Sequence, residues 1–187
     1  KIKVNKIKKL GSRVICYGED CLEAEKKARK DSIQEKLAFI SPYNDEHVMI
    51  GQGTLAVELI EQIKKLDVVI VSVGGGGLIS GVSKYIKSIW PEILVVGCSP
   101  ENSPAMIKSI YAGKILDIDS KPTLSDGTAG GLEPGSITFP ICCEYIDQTI
   151  LVNEDEIKKA MELYYNNEKQ IIEGAAGVAI ATFLKIK

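Results

Sequence analysis

Asp67-Val-Val-Ile-Val-Ser-Val-Gly-Gly-Gly-Gly-Leu-Ile-Ser-Gly81 carries a strand, a loop and the start of a helix in one run. From Val68 to Val73 the residues are almost all Val or Ile, with no alternation of polar and apolar positions. That is the pattern of a central parallel strand covered on both faces. Four glycines follow at once. Ile79, Val82, Ile86, Ile89 and Trp90 then recur at helical spacing until Pro91 stops the helix.

A buried strand that enters a helix through glycines has a physical consequence. Glycine lets the backbone come close to a ligand. The first amides of a helix lack intrahelical partners and carry a partial positive charge. Together they make an anion site, most naturally for phosphate. The competing reading is a flexible strand-to-helix turn, which would need fewer glycines. A kinase-type P-loop requires Gly-Lys-Ser/Thr, and Leu78-Ile79-Ser80 does not supply it. The dinucleotide fingerprint also fails, because Gly75-x-Gly77-x-x-Ser80 ends in serine. The residues by themselves therefore indicate a small phosphorylated ligand.

Outward from this segment, strands and helices alternate. Leu94 to Cys98 reads as a second buried strand and Thr149 to Val152 as a third. Arg13 to Tyr17 reads as a short strand nearer the start. Helices are expected over Glu19 to Lys36, Thr54 to Lys65, Ala105 to Tyr111, Thr138 to Ile146 and Gly174 to Leu184. Ser103-Pro104 has the form of a helix N-cap, and Asn153 with Glu156 that of a capping box. Residues 117–136 are rich in Gly, Pro, Ser, Thr and Asp and are expected to be loop. The order implies an α/β fold with a mostly parallel sheet and helices on both faces.

Composition narrows the function. The net charge is -2, which gives no footing for nucleic acid or an anionic membrane. The basic start, Lys1, Lys3, Lys6, Lys8 and Lys9, reads as a solvated face. No apolar run approaches the ~20 residues of a membrane span. The five cysteines, Cys16, Cys21, Cys98, Cys142 and Cys143, match no zinc spacing. With no secretory signal legible, free thiols and a cytoplasmic location are expected. His47 is the single histidine, and no cysteine stands in a recognisable nucleophile context beside it.

Taken in order, several motifs resemble the fold-type II pyridoxal-phosphate enzymes of the threonine/serine dehydratase and serine racemase type. They are Phe39-Ile-Ser-Pro-Tyr-Asn-Asp45, Ile50-Gly-Gln-Gly-Thr54, Val73-Gly-Gly-Gly-Gly-Leu78, Ser125-Asp-Gly127, Val152-Asn-Glu-Asp-Glu-Ile157 and Ile171-Ile-Glu-Gly-Ala-Ala-Gly177. The resemblance runs along nearly the whole chain and implies a tryptophan-synthase-β-like fold, incomplete here. It implies pyridoxal 5'-phosphate as cofactor, its phosphate held by backbone amides of Gly74, Gly75, Gly76, Gly77 and Leu78. It also brings Asp126-Gly127 and Glu173 towards the cofactor. Glu173 has a second reading, as a residue favoured by the dipole of the helix it opens. Gln52 and Gly53 read either as members of a loop into the large domain or as an ordinary helix entry.

The resemblance also exposes departures. The acidic residue with which serine racemase-like members hold a divalent cation would fall in Cys98-Ser99-Pro100, so no metal is expected. No Ser-x-Lys-x-Arg-Gly context for a Schiff-base lysine is present, so no catalytic residue is assigned. Ser-Gly-Asn-His and a closing Ser/Cys-Gly-Gly-Asn turn are missing as well. The expectation is a chain beginning within the smaller domain (residues 1–42) and ending early in the large cofactor-binding domain (43–187). The complete protein is expected to be a homodimeric threonine or serine dehydratase that eliminates water from a hydroxy amino acid. Racemisation, a natural non-catalytic truncated relative that binds phosphate or a partner, and an unrelated nucleotide-binding module are the alternatives.

Overall fold

The structure, a computed structural model, describes residues 2–187. Lys1, the first residue of the basic start, lies outside the described residues. The chain divides into two compact units, one ending at Phe39 and the other spanning Ile40–Lys187.

The first unit holds α1 (Ile2–Lys9) and α2 (Cys21–Glu35). Asp20 caps α2 by accepting the amide of Leu22, and Lys36 closes it in a left-handed conformation at φ 55°. Arg13 to Tyr17, expected as a strand, is irregular. A strand needs a neighbour to answer its backbone groups, and the described strands all belong to the second unit.

The second unit is an α/β layer structure. It contains α3 (Glu46–Gln62), β1 (Val68–Ser72), α4 (Gly77–Ile89), β2 (Leu94–Pro100), α5 (Ala105–Ala112), α6 (Thr138–Tyr145), β3 (Gln148–Val152), α7 (Glu154–Glu168) and α8 (Gly174–Ile186). The strands pair in parallel in the order β1-β2-β3, with Val71 opposite Gly97 and Gly97 opposite Thr149. Side chains alternate between the sheet faces. Val71, Val73 and Val95 pack with Ile79, Val82 and Ile86 of α4 and with Met106 and Cys142. Cys98 and Val152 pack on the opposite face with Ile157, Ala160, Val178 and Ala181 of α7 and α8. Helices thus cover both faces, as the unbroken apolar strands require.

Two more local expectations need correction. Gln52 and Gly53 are neither loop nor helix entry; they lie inside α3, which starts at Glu46 under an Asp45 cap. The glycines there serve helix contact. A Cβ on Gly53 would stand 3.2 Å from the carbonyl oxygen of Gly81 in α4, and one on Gly81 would run into the carbonyl of Met49. Ser103 does not cap α5. Pro104 occupies the cap position, and the Ser103 hydroxyl instead meets Ser120 at 2.7 Å and accepts the amide of Gly130 at 2.9 Å. The Asn153–Glu156 capping box is present on α7.

The α3–α4 contact gives an opposed pair of outcomes. Gly81→Ala forces a methyl into backbone and is expected to lose about 1–3 kcal/mol in denaturant unfolding. Gly51→Ala sits on an exposed face of α3 with nothing within 4 Å of its new Cβ, and is expected to be neutral or to gain up to about 1 kcal/mol. Equal effects of the two substitutions would contradict the packing described.

Candidate functional site

The end of β1 is held firmly before the chain turns. The Val73 amide donates to the Cys98 carbonyl at 2.7 Å, and the Ser99 hydroxyl donates to the Val73 carbonyl at 2.7 Å. Gly74 and Gly75 follow, and Gly76 caps α4 at φ 88°, with no side chain to answer the helix amides. The Ser80 amide, bonded to the Gly76 carbonyl at 3.0 Å, is the first to receive a helical partner. Among the described residues, no hydrogen bond takes the amide of Gly74, Gly75, Gly76, Gly77 or Leu78. These donors converge on the positive end of a helix, the arrangement that binds anions.

Two other segments reach the same place, at the carboxyl ends of the strands. The 3-10 turn Asp126–Thr128 lies against Gly74, whose Cβ would come within 2.9 Å of the Thr128 Cα. Ser125 and Thr128 close that turn through their hydroxyls at 2.6 Å, and Glu154 accepts the amide of Leu124 at 2.7 Å. Glu173 stands one residue before α8, exposed, and makes no capping bond with its side chain. Its Oε2 lies 4.0 Å from the position a Cβ on Gly127 would take. The Ser72 hydroxyl donates to the Ala175 carbonyl at 2.6 Å and so fastens the first turn of α8 to β1. Gly74–Leu78, Gly127 and Glu173 are therefore neighbours in space although the sequence separates them widely.

The structure adds residues whose roles the sequence did not reveal. A side chain on Gly75 would enter the Tyr43 ring, and one on Gly77 would meet the Tyr43 Cα at 2.9 Å. On Gly76 it would meet Met106 Cε at 2.8 Å and Cys142 Sγ at 2.9 Å. Thr138 donates its hydroxyl proton to the Gly75 carbonyl at 2.6 Å. Tyr43 belongs to a quoted motif, but nothing in its spacing says that its ring covers glycine. The glycines are thus required by protein packing on one side, while their amides stay open on the other.

Other candidates separate from this cluster. His47 is 94% exposed beside Asp45, at 3.5 Å. Cys142 is buried against Ser80, and burial pushes its thiol up to about 12. Burial also raises Cys98. The Ser99 hydroxyl is committed to Val73, and among the described residues no group of three or more His, Cys, Asp or Glu side chains is placed to hold a metal. A groove of about 740 Å³ between α3 and α4, lined by Met49, Ile50, Val57, Lys84 and Tyr85 among others, contains none of the glycine-loop amides.

Comparison with known proteins accounts for this arrangement. Residues 1–187 match the family described as pyridoxal-phosphate dependent enzyme. The chain belongs to that family. It is 44% identical over 184 residues to an L-threonine ammonia-lyase of Thermotoga maritima, covering 97% of this chain and 45% of that protein. It is 38% identical to the catabolic L-threonine dehydratase of Escherichia coli, covering 94% and 53% respectively. Maize serine racemase superposes with a TM-score of 0.89 at 31% identity, covering 98% of this chain and 57% of its own. The processed form of tomato threonine deaminase isoform 2 gives a TM-score of 0.87 at 35% identity, covering 100% and 56%. The chain thus spans about half the length of the relatives it matches. The family's cofactor fits what is present: a phosphate meets open amides at a helix N-terminus, in a loop where side chains have no room.

Thiol chemistry tests the burial behind the loop. At pH 8 a thiol that titrates near 12 is almost entirely protonated and unreactive. Iodoacetamide is expected to label exposed Cys16 and Cys143 in the folded chain and to leave Cys142 unmodified until denaturant is added. Labelling of Cys142 at the rate of Cys143 would contradict the structure.

Proposed function

We propose that this chain is the greater part of the cofactor-binding half of a threonine/serine ammonia-lyase. The observation that carries the reading is the set of open amides from Gly74 to Leu78 at the start of α4. In this reading those amides hold the phosphate of pyridoxal phosphate. The α4 dipole adds to its binding without a cationic side chain. Gly127 leaves room beside the cofactor, and Glu173 places a carboxylate at its edge. Once bound, the cofactor supplies an electron sink for breaking bonds at the substrate α-carbon. The names of the ammonia-lyase and dehydratase relatives support elimination of water from a hydroxy amino acid, with release of a 2-oxo acid and ammonia.

We assign residues 1–42 to the smaller domain and 43–187 to the large one, and the break in packing at Phe39 and Ile40 lies close to this boundary. For the whole protein we infer a homodimer acting in the cytoplasm. The free thiols support a reducing compartment. No helix among the described residues is long and apolar enough to cross a membrane. Racemisation is the second reading, favoured by the match to maize serine racemase.

No lysine in these 187 residues stands in the Ser-x-Lys-x-Arg-Gly context. Surface lysines are mostly protonated near neutrality and are poor nucleophiles. The expected outcome is binding without turnover. Pyridoxal phosphate should bind the chain at least tenfold more tightly than pyridoxal, and threonine should give no 2-oxobutyrate. Borohydride reduction should leave scattered, substoichiometric lysine adducts. Equal affinity for the two compounds would refute the phosphate reading. A single stoichiometric lysine adduct with 2-oxobutyrate production would refute the view that this chain lacks its catalytic lysine.

A further inference from the structure

Asn44 and Glu133 take no part in the phosphate contacts, yet they are tied to the glycine loop from behind. Glu133 is only 8% exposed, an uncommon place for a carboxylate. Asn44 Nδ2 donates to Glu133 Oε2 at 2.5 Å. Asn44 Oδ1 accepts the amide of Ile137 at 2.9 Å, and the Glu133 amide donates to the Tyr43 hydroxyl at 2.7 Å. The Ser41 hydroxyl accepts the Asn44 amide at 2.9 Å and fixes the backbone from which Asn44 reaches. Residues 41–44 and 133–138 are therefore joined through side chains, and each segment grips the loop. Tyr43 covers Gly75 and Gly77, while Thr138 bonds the Gly75 carbonyl.

We propose that Asn44 and Glu133 form a latch that holds Tyr43 and Thr138 against the glycine loop, and so sets the spacing of the amides that receive the cofactor phosphate. The role is one of positioning, and it rests on the phosphate reading of Gly74 to Leu78. Its chemistry is specific. Asn44 must donate to the carboxylate with one atom while it accepts from the Ile137 amide with the other. No simple hydrophobic or acidic residue does both. Asn44→Asp keeps the acceptor for Ile137 but sets two carboxylates against each other. Adding Glu133→Gln restores a donor–acceptor pair with its direction reversed and the net charge of the original protein.

The test is the dissociation constant of pyridoxal phosphate for the full chain and its variants, with unfolding temperatures recorded alongside. Asn44→Asp is expected to weaken binding at least tenfold, equivalent to about 1.4 kcal/mol. The double variant Asn44→Asp with Glu133→Gln is expected to return to within about threefold of the original. Such rescue is the sign of direct coupling between contacting residues. Should Asn44→Asp fail to fold, Glu133→Leu removes the acceptor without adding charge and is expected to weaken binding in the same direction. Unchanged affinity in either single variant that folds, or a double variant no tighter than Asn44→Asp, overturns the latch while leaving the phosphate site standing. An original chain that binds pyridoxal phosphate no better than pyridoxal overturns the phosphate reading and the latch with it.

Discussion

The close approach of Tyr43, Met106, Cys142 and Thr128 to the backbone of Gly74–Gly77 is the contact around which the second unit is arranged. Each of these residues occupies space that a Cβ would claim. The loop is consequently walled by protein on the side away from its open amides. A turn of this kind could not be made by residues with side chains without moving the segment around Tyr43, the 126–128 turn, α5 or α6. The four glycines thus do two things at once: they let neighbouring elements close in, and they leave donors at the start of α4 facing outward.

The sheet carries this loop to its position. Parallel strands end on the same edge, so β1, β2 and β3 deliver their following segments to one region. From there the 126–128 turn and the start of α8 can reach the glycine loop with little regular structure between them. The long connection from Gly113 to Ser136 is held by side chains. Asn102 donates to the Pro122 carbonyl at 2.7 Å, Ser103 accepts from Gly130, and Glu154 accepts from Leu124. A loop ordered in this way can present Gly127 and Thr128 in a fixed place without a helix or strand beneath them.

What could be read from sequence followed from periodicity and from backbone chemistry. The unbroken Val/Ile run of β1, the helical spacing of α4 and the Asn153–Glu156 box each rest on local rules, and each is present. The unpaired amides at the start of α4 were expected for the same reason, since the first amides of a helix have no intrahelical partner whatever packs around them. The errors arose where tertiary contact overrides local preference. Gln52 and Gly53 read as loop or helix entry, yet they lie in α3, where Gly53 packs against Gly81 of α4. Ser103-Pro104 looked like a cap, but the hydroxyl is drawn away to Ser120 and Gly130. Tyr43 and Glu133, 90 positions apart in the chain, could be joined only by the fold.

The central claim is that the backbone amides of Gly74 to Leu78, and no cationic side chain, receive the phosphate. A crystal of the chain soaked with pyridoxal phosphate tests it most directly. The account predicts phosphate oxygens within hydrogen-bond distance, about 2.7–3.2 Å, of those amides at the start of α4. Phosphate density on surface lysines, with the glycine-loop amides left without a ligand, would contradict it.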